Sequence, residues 1–280
     1  MAGIRVVTDS ACDLPPAVAE EHGIEVVPLT IRFGDDELVD RRDLSPKEFW
    51  ARSADSPILP ETAAPAPGAF EQVFRTAAEQ GADGVVCVTL SSALSATHQA
   101  ATVAAAAVEQ TIPVRVVDSK AVTMAEGLVA LEAARMAAEG KGLDDTAGAA
   151  EDLVSRLRIF AALDTLENLK KVGRIGGAQA LIGSLLSVKP VIELRDGVVE
   201  PESRQRTRSK SLRYLVDKVR EHGGVENLWV MHGEAPDVEE FLDMLGAVYP
   251  REEIRVGDIG AVIGTHAGPR VMGVIFATPR

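Results

Sequence analysis

A few hydroxyls and one histidine carry most of the chemistry this sequence offers. Ser91, Ser92 and Ser95 follow at once on the apolar run 85–90 and precede an Ala-rich stretch that reads as a helix to about residue 110. Ser95 is placed to cap that helix, and the free N–H groups of a first helical turn favour an anion. Thr62 stands among Pro57, Pro60, Pro65 and Pro67, where stiff extended backbone would hold a hydroxyl still. Gly264-Thr265-His266-Ala267-Gly268-Pro269 reads as a tight turn between two apolar strands, which leaves His266 few rotamers. Such donors together suit a carboxylate, and the apolar content could line a pocket for its tail. Each also has a plain structural use: Ser95 as a helix cap, Thr62 as a loop residue, His266 as a turn residue. Ser95 as nucleophile and His266 as base would make a different protein, a serine-dependent acyl hydrolase or transferase, if the two come within hydrogen-bond reach.

Other signatures are missing. The sequence has no G-x-S-x-G elbow, no G-x-x-x-x-G-K-[ST], no G-x-G-x-x-G and no H-E-x-x-H. His22, His98, His222, His232 and His266 do not stand at metal-ligand spacing with Cys or with one another, so neither a metal nor another cofactor is expected. Cys12 and Cys87 read as reduced packing residues.

The elements that must hold these groups alternate. Residues 4–8 form a short β-rich run that stops at Asp9-Ser10. A helix over 15–22, with Asp13 as its cap, leads to a strand over 26–33. Ser45-Pro46 opens a helix through Phe49 and Trp50, and 68–80 is helical. Residues 85–90 and 114–117 read as strands buried on both faces, and the second stops at Asp118-Ser119. Helices follow over 124–139 and 144–158. This is the pattern of a parallel-sheet α/β domain, in which ligands sit beyond the carboxyl ends of the strands. Asp9, Ser10, Ser91, Ser92 and Ser119 are therefore supporting candidates for a polar site, although Asp and Ser at such places also cap helices.

After about residue 158 the texture changes. Strands over 160–163, 188–194 and 197–199, with a turn at Asp196-Gly197, mix with helices over 166–172, 178–187, 208–222 and 238–245. Strands over 228–232, 255–263 and 271–277 complete the chain. The expectation is an α/β domain over 1–158 and a smaller α+β domain over 159–280, with the ligand between them.

Composition bounds the partners. The 280 residues are 46% hydrophobic and 25% charged, as in ordinary globular proteins. A formal charge of −13 argues against sequence-independent nucleic-acid binding and against adhesion of the whole body to anionic lipid. From Thr165 to Arg220, however, 12 Lys or Arg face 6 Asp or Glu, so this segment carries +6 and the remainder −19. A basic island in an acidic chain points to a localised anionic partner. No signal peptide and no membrane-spanning apolar run is legible, which leads to a cytoplasmic expectation.

Several of these segments together resemble the DegV family. They are Thr8-Asp9-Ser10-Ala11-Cys12-Asp13-Leu14-Pro15, Leu90-Ser91-Ser92-Ala93-Leu94-Ser95-Ala96-Thr97 and Val117-Asp118-Ser119-Lys120. The later ones are Asp164-Thr165-Leu166-Glu167-Asn168-Leu169-Lys170-Lys171-Val172-Gly173-Arg174-Ile175, Val188-Lys189-Pro190 and Ile263-Gly264-Thr265-His266-Ala267-Gly268-Pro269. They span nearly the whole chain in family order. The resemblance implies a two-domain protein that binds a long-chain fatty acid, its carboxylate held by Thr62, Ser95 and His266 and its acyl chain buried. It also implies a carrier rather than an enzyme, one that presents its ligand to a fatty-acid kinase for phospholipid synthesis. Arg174 is associated with that step, and Arg206 in the same basic island joins it as a phosphate or kinase contact. Transient membrane contact is compatible with such a carrier. The sequence departs from the family pattern at Ala63, Ala64, Ala96, Ala267 and Arg270. The first two remove polar side chains near the expected headgroup, and Arg270 brings a charge where the family has glycine.

Overall fold

The polar strand ends of the first half belong to one parallel sheet. The computed structural model describes residues 3–181 and 188–280, and the chain divides into two compact units. The first comprises 1–32, 36–43 and 62–155, the second 33–35, 44–61 and 156–280.

In the first unit the strands run in the order Ile24–Val27, Ile4–Asp9, Gly84–Thr89, Val114–Asp118, all parallel. Gly84–Thr89 is buried along its whole length, as its unbroken apolar run requires. Phe70 and Phe74 of the helix Pro67–Glu79 and Ala101, Ala104 and Val108 beside them pack on Val7, Val85 and Cys87. The alanines let the helix Thr97–Ala107 lie close to Pro67–Glu79 and to the sheet. The helix Met124–Ala138 packs on Ile4–Asp9 and Gly84–Thr89, and Leu143–Arg156 follows it. A three-stranded sheet has the order Asp36–Val39, Thr30–Phe33, Glu61–Ala63. The strand expected over 26–33 is thus two strands, Ile24–Val27 and Thr30–Phe33, because Pro28 interrupts it.

The second unit holds a six-stranded sheet in the order Val198–Gln205, Lys189–Arg195, Leu157–Ala162, Met272–Ala277, Glu226–His232, Arg255–Asp258. Its pairings are antiparallel except the last, where Trp229 stands opposite Arg255. Asp196 and Gly197 both have positive φ (51° and 82°), which the tight Asp-Gly turn needs. The helices Arg208–His222 and Val238–Leu245 cover a core of Phe160, Leu212, Leu215, Leu228, Phe241, Val274 and Phe276.

The helix Pro46–Asp55 also belongs here. Ser45 and Glu48 form a capping box at its start, and it buries Phe49 and Trp50. Trp50 Nε1 donates to the carbonyl of Ile259 at 2.9 Å. A Cβ on Gly264 would stand 2.6 Å from the Phe49 ring and 2.8 Å from Trp50, so only glycine fits beneath the two aromatic rings. This packing takes 44–61 out of the expected N-terminal region 1–158. With 33–35 it joins the C-terminal unit, which is then no smaller than the first.

Three local expectations change. The helix after the first strand begins at Pro16, with Pro15 and not Asp13 at its cap; Asp13 ends a short 3-10 turn with φ +53°. Arg255–Asp258 stops early, and Ala261–Ala267 is a helix rather than part of a strand and a turn. Gly176–Leu181 is a 3-10 turn, and the rest of the helix expected over 178–187 lies outside the described residues.

Candidate functional site

In the first unit the candidate residues cluster beyond the carboxyl ends of the parallel strands, and most are engaged with one another or with backbone. Asp9 ends its strand with one carboxylate oxygen accepting from Ala11 N (3.0 Å) and the other from Leu90 N (2.9 Å). Ser10 Oγ accepts from Leu29 N at 3.0 Å. Ser91 Oγ accepts from Ala93 N at 3.3 Å. Ser92 Oγ donates to Asp118 Oδ2 at 2.5 Å, and its N–H donates to Oδ1 at 3.2 Å. Ser119 Oγ accepts from Ala121 N at 3.1 Å. The bonds of Asp9 to Leu90 N, Ser10 to Leu29 N and Ser92 to Asp118 tie neighbouring segments together, while Ser91 and Ser119 hold their own turns, so the five supporting residues build the rim on which a site can stand.

Ser95 is partly buried, and its position differs from a simple cap. The cap residue of Thr97–Ala107 is Ala96, and Ser95 Oγ instead meets the Thr97 hydroxyl at 2.9 Å and accepts from Thr97 N at 3.3 Å. Its hydroxyl therefore sits at the helix start, beside free N–H groups. The imidazole of that helix, His98, is bonded to Thr89 Oγ1 at 3.1 Å. Thr62 lies on the short strand Glu61–Ala63, partly buried, where a fully irregular loop was expected.

His266 lies in the second unit, one residue before the end of the helix Ala261–Ala267. Gly268 ends that helix at φ +79°, and the Asn168 side chain, 3.2 Å from where a Cβ would be, donates to the Thr265 carbonyl at 3.1 Å. Burial, helped by the Arg174 charge, pushes the His266 imidazole down to about 4. At neutral pH it is thus an uncharged ring with one N–H to donate. Arg174 reaches this neighbourhood from the loop after Glu167–Lys171, and its Nη1 donates to the Val172 carbonyl at 2.7 Å. The structure thus brings together two residues that the sequence separates by 92 positions. Gly264 and Thr265 of the same helix line a cleft of about 270 Å³ within the second unit, walled by Phe49, Trp50, Ile58, Leu59 and Pro60.

The basic island divides in two. Arg208 makes a fork with Asp237 (2.9 and 3.1 Å), Lys189 pairs with Asp164 (3.1 Å), and Lys218 with Glu202 (2.5 Å). Lys170, Lys171, Arg174, Arg206 and Lys210 stand exposed. The first group is structural, and the second is accessible to a partner, as are the exposed Arg195, Arg204, Arg213 and Arg220.

Sequence reasoning missed a buried acidic cluster in the first unit. Glu126, Asp40 and Asp13 lie with Asp9 at 0–5% exposure. Burial pushes Asp9 up to about 7 and Asp40 up to about 6, and raises Glu126 well above the usual range. Arg41 pairs with Asp13 at 2.5 Å. The only sequence signal was a glutamate in the apolar first half of an Ala-rich helix, which also reads as a favourable dipole contact. No group of three or more metal-ligating side chains is found among the described residues, nor is any helix there long and apolar enough to cross a membrane.

A parallel α/β unit with a polar rim, followed by a mixed-sheet unit bearing a partly buried neutral histidine, defines a class of two-unit α/β protein. The DegV family model matches residues 3–279, and the chain belongs to that family. A DegV domain-containing protein of Streptomyces coelicolor is 40% identical over 280 residues, covering 98% of each chain. Among solved structures, a DegV family protein of Thermus thermophilus described by its fatty-acid binding superposes with TM-score 0.90 at 33% identity, covering 99% of this chain and 100% of that one. DegV of Bacillus subtilis, described as a fatty acid binding protein, superposes with TM-score 0.89 at 29% identity, with full coverage of both chains.

Proposed function

We propose that this chain binds a long-chain fatty acid as a non-catalytic carrier, with the carboxylate held by Thr62, Ser95 and His266. The observation that carries the reading is the likeness over the whole chain to two proteins described as binding fatty acids, both above a quarter identical. The chemistry of the three residues supports it. Two hydroxyls and a neutral imidazole N–H offer donors without a fixed cation, which suits an anion that must later leave. The Ala63, Ala64 and Ala96 departures leave these three in place. The cleft beside the His266 helix offers the apolar walls of Phe49, Trp50, Ile58, Leu59 and Pro60 to an aliphatic tail, alongside Asn168 and Lys171.

The acyl group is then handed to a fatty-acid kinase for phospholipid synthesis. The exposed cations Arg174 and Arg206 are the docking contacts, and any membrane contact is transient. The carrier works in the cytoplasm.

Lipid extraction of the purified protein followed by mass spectrometry tests the binding. A fatty acid in the extract, or saturable uptake of oleate by delipidated protein, is expected. A lipid-free protein that takes up no oleate refutes the reading. Ser95→Ala should weaken oleate binding about tenfold to a hundredfold, the loss of one hydrogen bond to a charged group. Unchanged affinity there would reject the site while leaving the ligand class standing.

A further inference from the structure

Asp9, one of the rim residues, and Glu126 form a carboxyl pair apart from the three residues proposed to hold the fatty-acid carboxylate. Both are fully buried. Asp9 joins two strand ends, since its bond to Leu90 N fixes the start of the segment carrying Ser91, Ser92 and Ser95. The Glu126 carboxyl lies beside Asp9, within reach of a shared proton, and Thr8 Oγ1 donates to Glu126 Oε1 at 3.0 Å.

The helix bearing Glu126 comes this close for two reasons. A Cβ on Gly127 would lie 3.0 Å from the Cys12 carbonyl, so glycine is what permits the approach. Thr123, just before the helix, is held at φ +52° while its N–H donates to the Ala11 carbonyl at 2.8 Å. A β-branched residue in the left-handed region persists only where its surroundings hold it there.

Two bare carboxylates cannot share such a dry place. The groups around them offer little compensation. Asp13 and Asp40 add negative charge, Arg41 is taken by Asp13, and the Cys12 and Cys87 thiols are kept protonated by burial. One proton must therefore lie within the pair. Two backbone N–H donors favour the charge on Asp9, whereas Glu126 accepts from a single hydroxyl.

We propose that Glu126 is a carboxylic acid in the folded protein, donating its proton to an ionised Asp9, and that this clasp is a positioning device for the loop that bears Ser95. Its consequence for ligand affinity rests on the fatty-acid reading, but the clasp itself does not.

The test uses the full chain with labelled carboxyl carbons and amide exchange. Above about pH 8 the Glu126 carboxyl carbon should still resonate as an acid and that of Asp9 as a carboxylate, whereas near pH 7 Asp9 is part-way through its titration. Glu126→Gln keeps a donor and should leave Leu90 amide protection as in the wild type. Glu126→Ala removes it and should speed exchange at Leu90 by about tenfold. An ionised Glu126 at neutral pH, or a Gln variant as loosened as the Ala variant, overturns the proposal. The carboxyl signals and the Gln variant decide it even where Glu126→Ala does not fold. Oleate binding is read in parallel. If the wild type binds none, the fatty-acid reading fails while the exchange data still judge the clasp. If it binds, Glu126→Ala should weaken it and Glu126→Gln should not.

Discussion

Acid should loosen the second unit through one imidazole. His266 is held at about 4 against an ordinary 6.5, mainly by burial and then by the Arg174 charge. The unfolded chain therefore binds a proton between these values that the folded chain refuses. A base whose pKa is lowered on folding stabilises at high pH, and that stability is lost as pH falls through 6.5 toward 4. The shift corresponds to about 3 kcal/mol in full, an upper bound for a partly buried group. Between about pH 7 and about pH 5 the loss is about 2 kcal/mol. Both tryptophans, Trp50 and Trp229, lie in the second unit, so urea unfolding followed by tryptophan fluorescence reports on the unit that holds His266. The variant His266→Gln keeps a polar side chain without a titrating ring. Its midpoint should fall less on acidification than the wild type's, by about the 2 kcal/mol above. Oleate should reduce the wild-type loss as well, because a carboxylate beside the ring favours its charged form. Parallel pH dependences for wild type and variant would refute the partly buried neutral histidine, and with it the idea that it binds an anion as a neutral donor.

The first unit should respond in the opposite sense at Asp40. Its folded pKa, about 6, lies above the ordinary 3.8, so its stabilising contribution is present at about pH 4 and lost as pH rises through 6. Asp40→Asn should remove a loss of about 2 kcal/mol over that range, read by backbone exchange in the strand Ile4–Asp9; an unaltered pH dependence would exclude it. Gly264→Ala should destabilise the second unit by about 1–3 kcal/mol in urea unfolding, because the methyl group meets the Phe49 and Trp50 rings below 3 Å; a neutral result would mean that these rings yield freely. Reversing charge at Arg206 should impair acyl-phosphate formation by a fatty-acid kinase while leaving oleate binding intact, whereas reversal at Arg174 should also disturb binding through His266. Normal coupling would return the basic island to an ordinary solvated face.

Much of the architecture was legible because it is local. The unbroken apolar run of Gly84–Thr89 announced a central strand, Asp196-Gly197 its hairpin, and Ser45-Pro46 the start of a helix. Asp9-Ser10 and Asp118-Ser119 marked strand ends because polar residues stop an apolar run. Where glycine was ambiguous the reading failed. Gly264 and Gly268 suggested a turn, but the space beneath Phe49 and Trp50 makes Gly264 part of a helix. The same aromatic packing moved 44–61 into the second unit, and no boundary signal in composition records that.

The sequence by itself determined the alternation of the central strands and helices, the family, and the residue types fit to hold a carboxylate. Those follow from periodicity, turn chemistry and short motifs, all set within a few residues. Only the tertiary structure decided the protonation of those groups and their neighbours. Burial lowers His266, and it raises Asp9, Asp40 and Glu126. Desolvation depends on what packs around a charge, and Glu126 meets Asp9 from 117 residues away in the chain.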